Sequence, residues 1–227
     1  MAGCNIFATM TTYLSHCILG NHFLLSANRT IFWEEQKSLI LSDLHVGKSG
    51  HFRKNGIGIP QNMLNEDMQR LTAEIQFYKP TRLIVVGDLF HSHSNKEHDL
   101  FLKWRQSLPD LHIDLVLGNH DILQKEKYRE ADILVHEGSY NIDPFIFTHN
   151  ICDLADDDEN YCFSGHIHPG ITIRGVGKQS LRLPCFYFNK QYAVLPAFGK
   201  FTGTQPIKPL QNDSIFALAG NSIIQVQ

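Results

Sequence analysis

Residues 82–88 read RLIVVGD, a continuous apolar run that ends in a glycine and an acidic side chain. Two comparable runs occur at 38–45 (SLILSDLH) and at 112–121 (HIDLVLGNHD). Short uninterrupted apolar runs are typical of strands that are buried on both faces of a parallel sheet. The three runs therefore predict three parallel strands, each followed directly by polar side chains.

Amphipathic helices are predicted between these strands. Their apolar residues recur three or four positions apart, at Leu64, Met68, Leu71, Ile75 and Tyr78 in the first helix and at Leu100, Trp104 and Leu108 in the second. This spacing gives an apolar stripe along one helix face. Alternation of strands and helices is the pattern of an α/β layer.

The remaining segments indicate more β-structure around this layer. Cys17–Leu25 and Thr30–Trp33 are predicted strands, and from about Ile133 onward short apolar segments are separated by turns. The expected fold class is α/β, with two packed sheets and flanking helices in an αββα sandwich. Residues 1–15 are expected to form a disordered extension and residues 16–227 a single domain.

Composition restricts the possible classes of protein. The chain has 227 residues with a net charge of −3, which predicts one substantial domain and no strong field for nucleic acid or an anionic membrane. No stretch reaches the ~20 apolar residues of a membrane span, and no secretory signal is recognisable. Five cysteines without a CxxC spacing indicate free thiols. We expect a cytoplasmic protein.

Metal-capable side chains follow the predicted strands. They are Asp43, His45, Asp88, Asn119, His120, His149, His166 and His168. Ligands of open α/β sheets bind outside the carboxyl ends of strands, and residues two apart in an extended segment point to the same side. Oxygen and imidazole donors without thiolate suit Mn²⁺, Fe²⁺ or Zn²⁺. The pattern predicts a metal site, whereas His16, His22, His98, His112 and His136 are interpreted as ordinary surface or core histidines.

Taken in order, the motifs DxH at 43–45, GD at 87–88, GNHD at 118–121, His149 and GHxH at 165–168 resemble the calcineurin-like metallophosphoesterases. This resemblance implies the two-sheet αββα sandwich of that family. It also implies hydrolysis of a phosphate ester by a hydroxide held between two divalent ions. We expect Mn²⁺, with Fe²⁺ or Zn²⁺ as alternatives.

The same resemblance implies a role for each residue. Asp43, His45 and His168 would hold one ion, and Asn119, His149 and His166 would hold the other. Asp88 would bridge the two ions. His120 would protonate the leaving oxygen or stabilise charge on the phosphoryl group.

Further segments are similar to the DNA-ligase-associated phosphoesterases of the PdeM type: HVGK at 45–48, HFRKNGI at 51–57, GDLFHS at 87–92, LRLPCF at 181–186 and LPAFGKFTG at 195–203. His91 occupies a position where the wider family has Asp or Asn, and the resemblance of the segment at 87–92 to that group's own form of the motif would explain this departure. The similarity implies a phosphodiesterase or DNA endonuclease that acts in DNA repair with a ligase and a helicase. Lys48, Arg53 and His91 are candidate substrate contacts, although a solvated loop explains Lys48 and Arg53 equally well.

Two alternatives remain open. A small-molecule pyrophosphatase or nucleotide phosphodiesterase would use the same chemistry, but the superfamily's UDP-diacylglucosamine hydrolases usually carry a helical lipid-binding insertion, and no amphipathic insertion separates Gly118 from His149. A non-catalytic interaction module on this fold would not need His120 and a full ligand set. The acidic run at 156–159 is interpreted as a solvated turn, and if exposed near the cleft it would disfavour entry of a polyanion such as DNA.

Overall fold

The computed structural model describes residues 11–48, 63–91, 96–153, 160–175 and 179–227. In these ranges the first sheet has seven strands, which lie side by side in chain order. The strands are β1 (Tyr13–Ile18), β2 (Asn21–Ser26), β3 (Ile31–Trp33), β4 (Ser38–Leu41), β5 (Arg82–Val86), β6 (His112–Val116) and β7 (Ile133–His136). Neighbouring strands pair antiparallel from β1 to β4 and parallel from β4 to β7.

Each parallel pair is joined by a crossover that contains a helix. These are α1 (Met63–Tyr78) between β4 and β5, α2 (Lys96–Gln106) between β5 and β6, and α3 (Lys125–Glu130) between β6 and β7. Parallel strands require such crossovers because the chain must return to the same edge of the sheet. The carboxyl ends of β4, β5 and β6 therefore lie at one edge.

The second sheet is formed by the later part of the chain. Its strands are β8 (Ser139–Ile142), β9 (Phe145–Thr148), β10 (Tyr161–Ser164), β11 (Pro169–Arg174), β12 (Ser180–Phe188), β13 (Tyr192–Val194), β14 (Gln205–Pro206), β15 (Ser214–Ala219) and β16 (Ser222–Gln225). The order is β14-β11-β12-β13-β10-β9-β8, and β15 pairs with both β12 and β16. A short 3₁₀ helix, Ile151–Asp153, follows β9. Strands β9, β10 and β13 are parallel neighbours.

Two hydrophobic cores lie on opposite faces of the first sheet. Ile84 and Val86 of β5 point into the core between the sheets, where aromatic residues such as Phe145 and Phe163 pack. Leu83 and Val85 point into the core beneath the helices. Successive strand residues face opposite sides, so β5 is buried on both faces. The expected two-sheet α/β fold is confirmed.

The beginning of the chain differs from the sequence expectation. The single strand predicted at Cys17–Leu25 is wrong: a turn at Leu19 and Gly20 divides it into parts of β1 and β2. Both turn residues have positive φ angles, 48° and 77°, a backbone region that glycine adopts easily. β1 begins at Tyr13, so the first sheet starts inside the segment 1–15, and residues 1–10 lie outside the described ranges.

The second predicted helix is shorter than its apolar pattern indicates. α2 ends at Gln106, so Leu108 lies beyond it, in a turn that packs against the helix-side core. No helix in the described part of the chain is long and apolar enough to cross a membrane. A single domain over residues 16–227 remains a prediction.

Candidate metal centre

The proposed ligands follow strands of both sheets. Asp43 and His45 follow β4, and Asp88 follows β5. His149 comes directly after β9, and the GHxH segment at 165–168 comes directly after β10. Because these strands run parallel within their sheets, their ends bring the polar side chains together at one rim of the sandwich.

One group of candidate ligands consists of Asp43, His45 and His168. One donor atom from each residue lies within 4.8 Å of the donor atoms of the other two. His168 Nε2 is 3.1 Å from Asp43 Oδ1. The structure therefore brings together the three residues expected around the first ion.

A second group consists of Asp43, Asp88 and His149, under the same 4.8 Å limit. His149 Nε2 lies 3.5 Å from Asp88 Oδ2. It also lies 3.2 Å from Asn119 Oδ1 and 3.2 Å from His166 Nδ1. Asn119 and His166, the other two residues expected around the second ion, thus lie beside His149.

The carboxylates of Asp43 and Asp88 each lie close to residues of both groups. Asp43 is a member of each group, and Asp88 Oδ2 lies 3.5 Å from His149 Nε2 and 3.9 Å from His45 Nδ1. From the motif resemblance, Asp88 alone is expected at the shared position. The geometry adds Asp43 as a second carboxylate within reach of both groups.

Backbone strain is concentrated at this cluster. Five of the seven proposed ligands have left-handed φ angles: Asp43 (54°), His45 (57°), Asp88 (51°), His166 (66°) and His168 (52°). This region costs about 1–3 kcal/mol for a residue with a side chain and persists only where the surrounding structure enforces it. Strain of this kind clusters at active sites and ligand clamps, which supports a functional role for the cluster.

Hydrogen bonds hold the strained turns in place. The backbone N–H of Asp43 donates to Gly87 O at 3.0 Å, and that of His45 donates to Asp88 O at 2.9 Å. The carboxylates accept further backbone bonds, His166 N to Asp43 Oδ2 at 3.1 Å and His120 N to Asp88 Oδ1 at 2.9 Å. Each ligand turn is therefore tied to another one.

His45 has the environment of a metal ligand. It is 5% exposed, and among the described residues neither of its ring nitrogens makes a hydrogen bond. A buried polar atom without a partner costs about 1–3 kcal/mol, a cost that coordination to a cation removes. Burial, with the positive charge of Lys48, lowers the pKa of His45 to about 2. The ring is thus neutral, which is the form that binds metal.

The two carboxylates are almost completely buried, at 0% exposed for Asp43 and 2% for Asp88. Burial raises the pKa of Asp88. Burial also acts to raise the pKa of Asp43, but the rings of His168 and His149 hold it below its usual value. Buried carboxylates require a compensating positive charge. Together with the imidazoles they form a donor set that fits divalent cations.

His120, the expected acid, lies beside the cluster. Its ring centroid is 5.6 Å from that of His45 and 4.5 Å from that of His91. His91 in turn lies 5.3 Å from His45. His91 is thus in contact with His120, the histidine expected to donate a proton.

Among the candidate substrate contacts, Lys48 is half-buried near the two carboxylates. Its Nζ lies 3.4 Å from Thr202 Oγ1, and burial lowers its pKa while Asp43 and Asp88 act to raise it. Arg53 lies outside the described residues, as does the acidic run at 156–159.

Asp121 is a site residue whose role the sequence analysis did not assign. Its Oδ1 accepts a hydrogen bond from Phe90 N at 2.8 Å, and its Oδ2 accepts one from Gly118 N at 2.9 Å. It therefore joins the turn that carries Asp88 to the turn that carries Asn119. Burial raises its pKa to about 7. The only signal for it in the sequence is the last position of the GNHD motif.

Two glycines lie where no larger residue fits. A Cβ on Gly87 would lie 1.9 Å from His149 Nδ1, and one on Gly118 would lie 2.1 Å from Asp88 Oδ1. Gly87 also has a φ of 80°. The glycines before Asp88 and Asn119 thus allow the strand-end turns to approach the ligands closely.

The fold is that of the calcineurin-like metallophosphoesterases, structurally similar to the MPE and ligase-associated group, and the buried Asp/His cluster is a candidate metal site on it. The solved structure of the nuclease MPE from Pseudomonas putida matches with a TM-score of 0.80 and 26% identity, over 93% of this chain and 99% of that chain. Yfce, a phosphoesterase from E. coli, matches at a TM-score of 0.43 and 14% identity, over 83% of this chain and 97% of that chain. No family model and no curated protein matches the sequence.

Proposed function

We propose that this chain is a two-metal phosphodiesterase that cleaves DNA or a nucleotide-like phosphodiester. The observation that carries the proposal is the buried cluster of Asp43, His45, Asp88, His149 and His168, four of which have left-handed φ angles. The likeness to a solved nuclease at 26% identity supports DNA as the substrate.

The geometry and the motif order support two ligand sets. Asp43, His45 and His168 would hold one ion. Asn119, His149 and His166 would hold the other, and Asp88 would be shared by both sets. When bound, two divalent ions would neutralise phosphoryl charge and lower the pKa of a water molecule so that it attacks phosphorus. We propose Mn²⁺, with Fe²⁺ or Zn²⁺ as alternatives.

His120 is proposed to donate a proton to the leaving oxygen. Its backbone is fixed by the hydrogen bond to Asp88 Oδ1, so its ring is held beside the cluster. His91 packs against this ring and orients it. The Lys48 ammonium binds a phosphate oxygen, and Arg53 is proposed as a further phosphate contact.

Hydrolysis of bis-p-nitrophenyl phosphate by metal-stripped protein tests the proposal. We expect Mn²⁺ to restore activity, Asp88→Asn to abolish it, and His120→Ala to reduce turnover by about 10²–10⁴-fold, the usual loss for a general acid. His112→Ala is the matched control, because His112 is exposed at the start of β6, and it retains wild-type turnover. Retention of activity in both site variants would contradict the proposal.

The choice of substrate is tested in the same assay with DNA oligonucleotides, cyclic nucleotides and nucleoside diphosphate esters under Mn²⁺. We expect DNA to be cleaved fastest. Faster cleavage of a nucleoside diphosphate ester would identify the protein as a small-molecule pyrophosphatase instead. Association with a DNA ligase and a helicase is a further proposal, tested by co-purification with those enzymes.

A further inference from the structure

The segment 195–203, which begins immediately after β13, lies against the turn that carries Asp43. Phe198 N donates a hydrogen bond to Ser42 O at 2.8 Å, and Gly199 N donates one to Asp43 O at 3.1 Å. The two peptide groups next to the strained Asp43 are therefore held by this segment. Any displacement of the segment would remove support from a ligand turn.

Two partly buried guanidinium groups bind the carbonyls of the same segment. Arg70 of α1 donates to Phe198 O at 2.5 Å, and its guanidinium carbon lies 3.9 Å from the centre of the Phe198 ring. Arg29, in the turn between β2 and β3, donates to Ala197 O at 2.9 Å and to Gly199 O at 3.3 Å. A planar guanidinium can bind carbonyls and stack on an aromatic ring at the same time.

Asp67 fixes the position of Arg70. Its Oδ1 lies 2.7 Å from Arg70 Nη2, and both side chains are 9% exposed. Its Oδ2 accepts a hydrogen bond from Lys200 N at 3.4 Å. Asp67 therefore binds both the guanidinium and the segment that the guanidinium holds.

Stability alone explains this arrangement poorly. Burial raises the pKa of Asp67 and lowers that of Arg70, so each charge loses solvation in the folded state. A buried ion pair of this type is often no more stable than a hydrophobic pair of similar volume. What the ion pair supplies is a fixed position for the carbonyl of Phe198.

We propose that Arg70, fixed by Asp67, is a positioning residue for the metal centre. Arg70 holds the peptide group between Phe198 and Gly199, and these two residues hold the backbone of Ser42 and Asp43. This backbone conformation directs the side chains of Asp43 and His45 to an ion. In the part of the chain that the structure describes, the hydrogen bonds, ion pair and ring contact of Arg70 involve Asn28, Asp67 and Phe198, and none involves a proposed ligand. This inference rests on the proposed function, because it assumes that the cluster binds metal. It predicts that loss of the guanidinium weakens metal binding itself.

Titration of the metal-free protein with Co²⁺, followed by visible absorption, measures both affinity and ligand geometry. We expect Arg70→Met to weaken Co²⁺ binding by about 10–100-fold, as for other residues that orient ligands, and to alter the absorption spectrum. Arg70→Lys keeps the charge but not the planar fork, so it should give a smaller change in the same direction.

Arg105→Met is the matched control. Arg105 is also a buried arginine that binds backbone carbonyls, those of Ala131 and Leu108, and it pairs with Asp132 at 2.7 Å. None of these partners is a proposed ligand. We expect Arg105→Met to lower the melting temperature as Arg70→Met does while Co²⁺ affinity and spectrum remain those of the wild type.

The positioning role is refuted if Arg70→Met binds Co²⁺ with wild-type affinity and spectrum, or if Arg105→Met loses as much affinity. Should Arg70→Met fail to fold, Arg70→Lys decides by the same criteria. A wild-type protein that binds no Co²⁺ at all would instead refute the metal centre, and with it both proposals.

Discussion

Replacing Gly118 by alanine tests how closely the turns of the site approach one another. The added Cβ would lie 2.1 Å from Asp88 Oδ1, 2.4 Å from Asp88 N and 2.9 Å from Asp88 Cγ. Carbon and other heavy atoms pack at about 3.5–4.0 Å, so one of the two turns must move by more than about 1 Å. Gly118 is not among the glycines with positive φ, so the effect is steric rather than conformational.

The size of the effect follows from this displacement. Overpacking of a well-packed region costs about 1–3 kcal/mol, which lowers the melting temperature by about 2–4 °C per kcal/mol in a chain of this size. Displacement of catalytic groups by about 1 Å can reduce turnover by roughly 100-fold. We therefore expect Gly118→Ala to retain its fold and to lose most of its activity.

The assay compares circular dichroism melts, Mn²⁺ affinity and phosphodiester turnover in Gly118→Ala and Gly203→Ala. A Cβ on Gly203 meets nothing within 4 Å among the described residues, so this control variant should behave as the wild type in all three measurements. If Gly118→Ala binds Mn²⁺ and turns over substrate at the wild-type rate, the proposed contact between the two turns is wrong.

Three further predictions concern the same molecule. Asp121→Ala leaves the buried N–H of Phe90 and the half-buried N–H of Gly118 without their acceptor. We therefore expect a loss of about 1–3 kcal/mol in the free energy of unfolding, measured by urea denaturation, and a loss below about 0.5 kcal/mol would refute the linking role. In the folded protein, iodoacetamide at pH 8 should modify the exposed Cys17 and leave Cys185 unmodified, because burial raises the pKa of the Cys185 thiol to about 12. Equal modification of both cysteines in mass spectrometry would contradict this. Removal of metal by EDTA should lower the melting temperature and added Mn²⁺ should restore it, whereas identical melts would contradict metal binding in the folded state.

The central strands could be predicted from sequence because burial on both faces leaves uninterrupted apolar runs. Phe145–Thr148 and Tyr161–Ser164 have the same apolar character, since all four residues of each are buried. In the edge strand Ile133–His136 only one of the four residues is buried, so burial does not impose an uninterrupted apolar run on this strand. Helix α3 has six residues and buries Tyr128 alone, which leaves no apolar stripe to detect.

The candidate ligands could be selected from sequence because each one lies in or beside a short motif at a strand end. Contacts between distant segments leave no such pattern. The contact between Arg70 and Phe198 spans 128 positions, and neither residue belongs to a metal-binding motif. Membership of Asp43 in both ligand groups depends on how two sheets pack, so only the folded structure reveals it.

Anomalous diffraction from crystals grown with Mn²⁺ tests the central claim most directly. We predict two manganese peaks about 3.5–4 Å apart, one beside Asp43, His45 and His168 and the other beside His149 and Asn119, with Asp88 between them. A map that shows no peak at this cluster under saturating Mn²⁺, or manganese bound only elsewhere, would contradict the assignment of the chain as a two-metal phosphodiesterase.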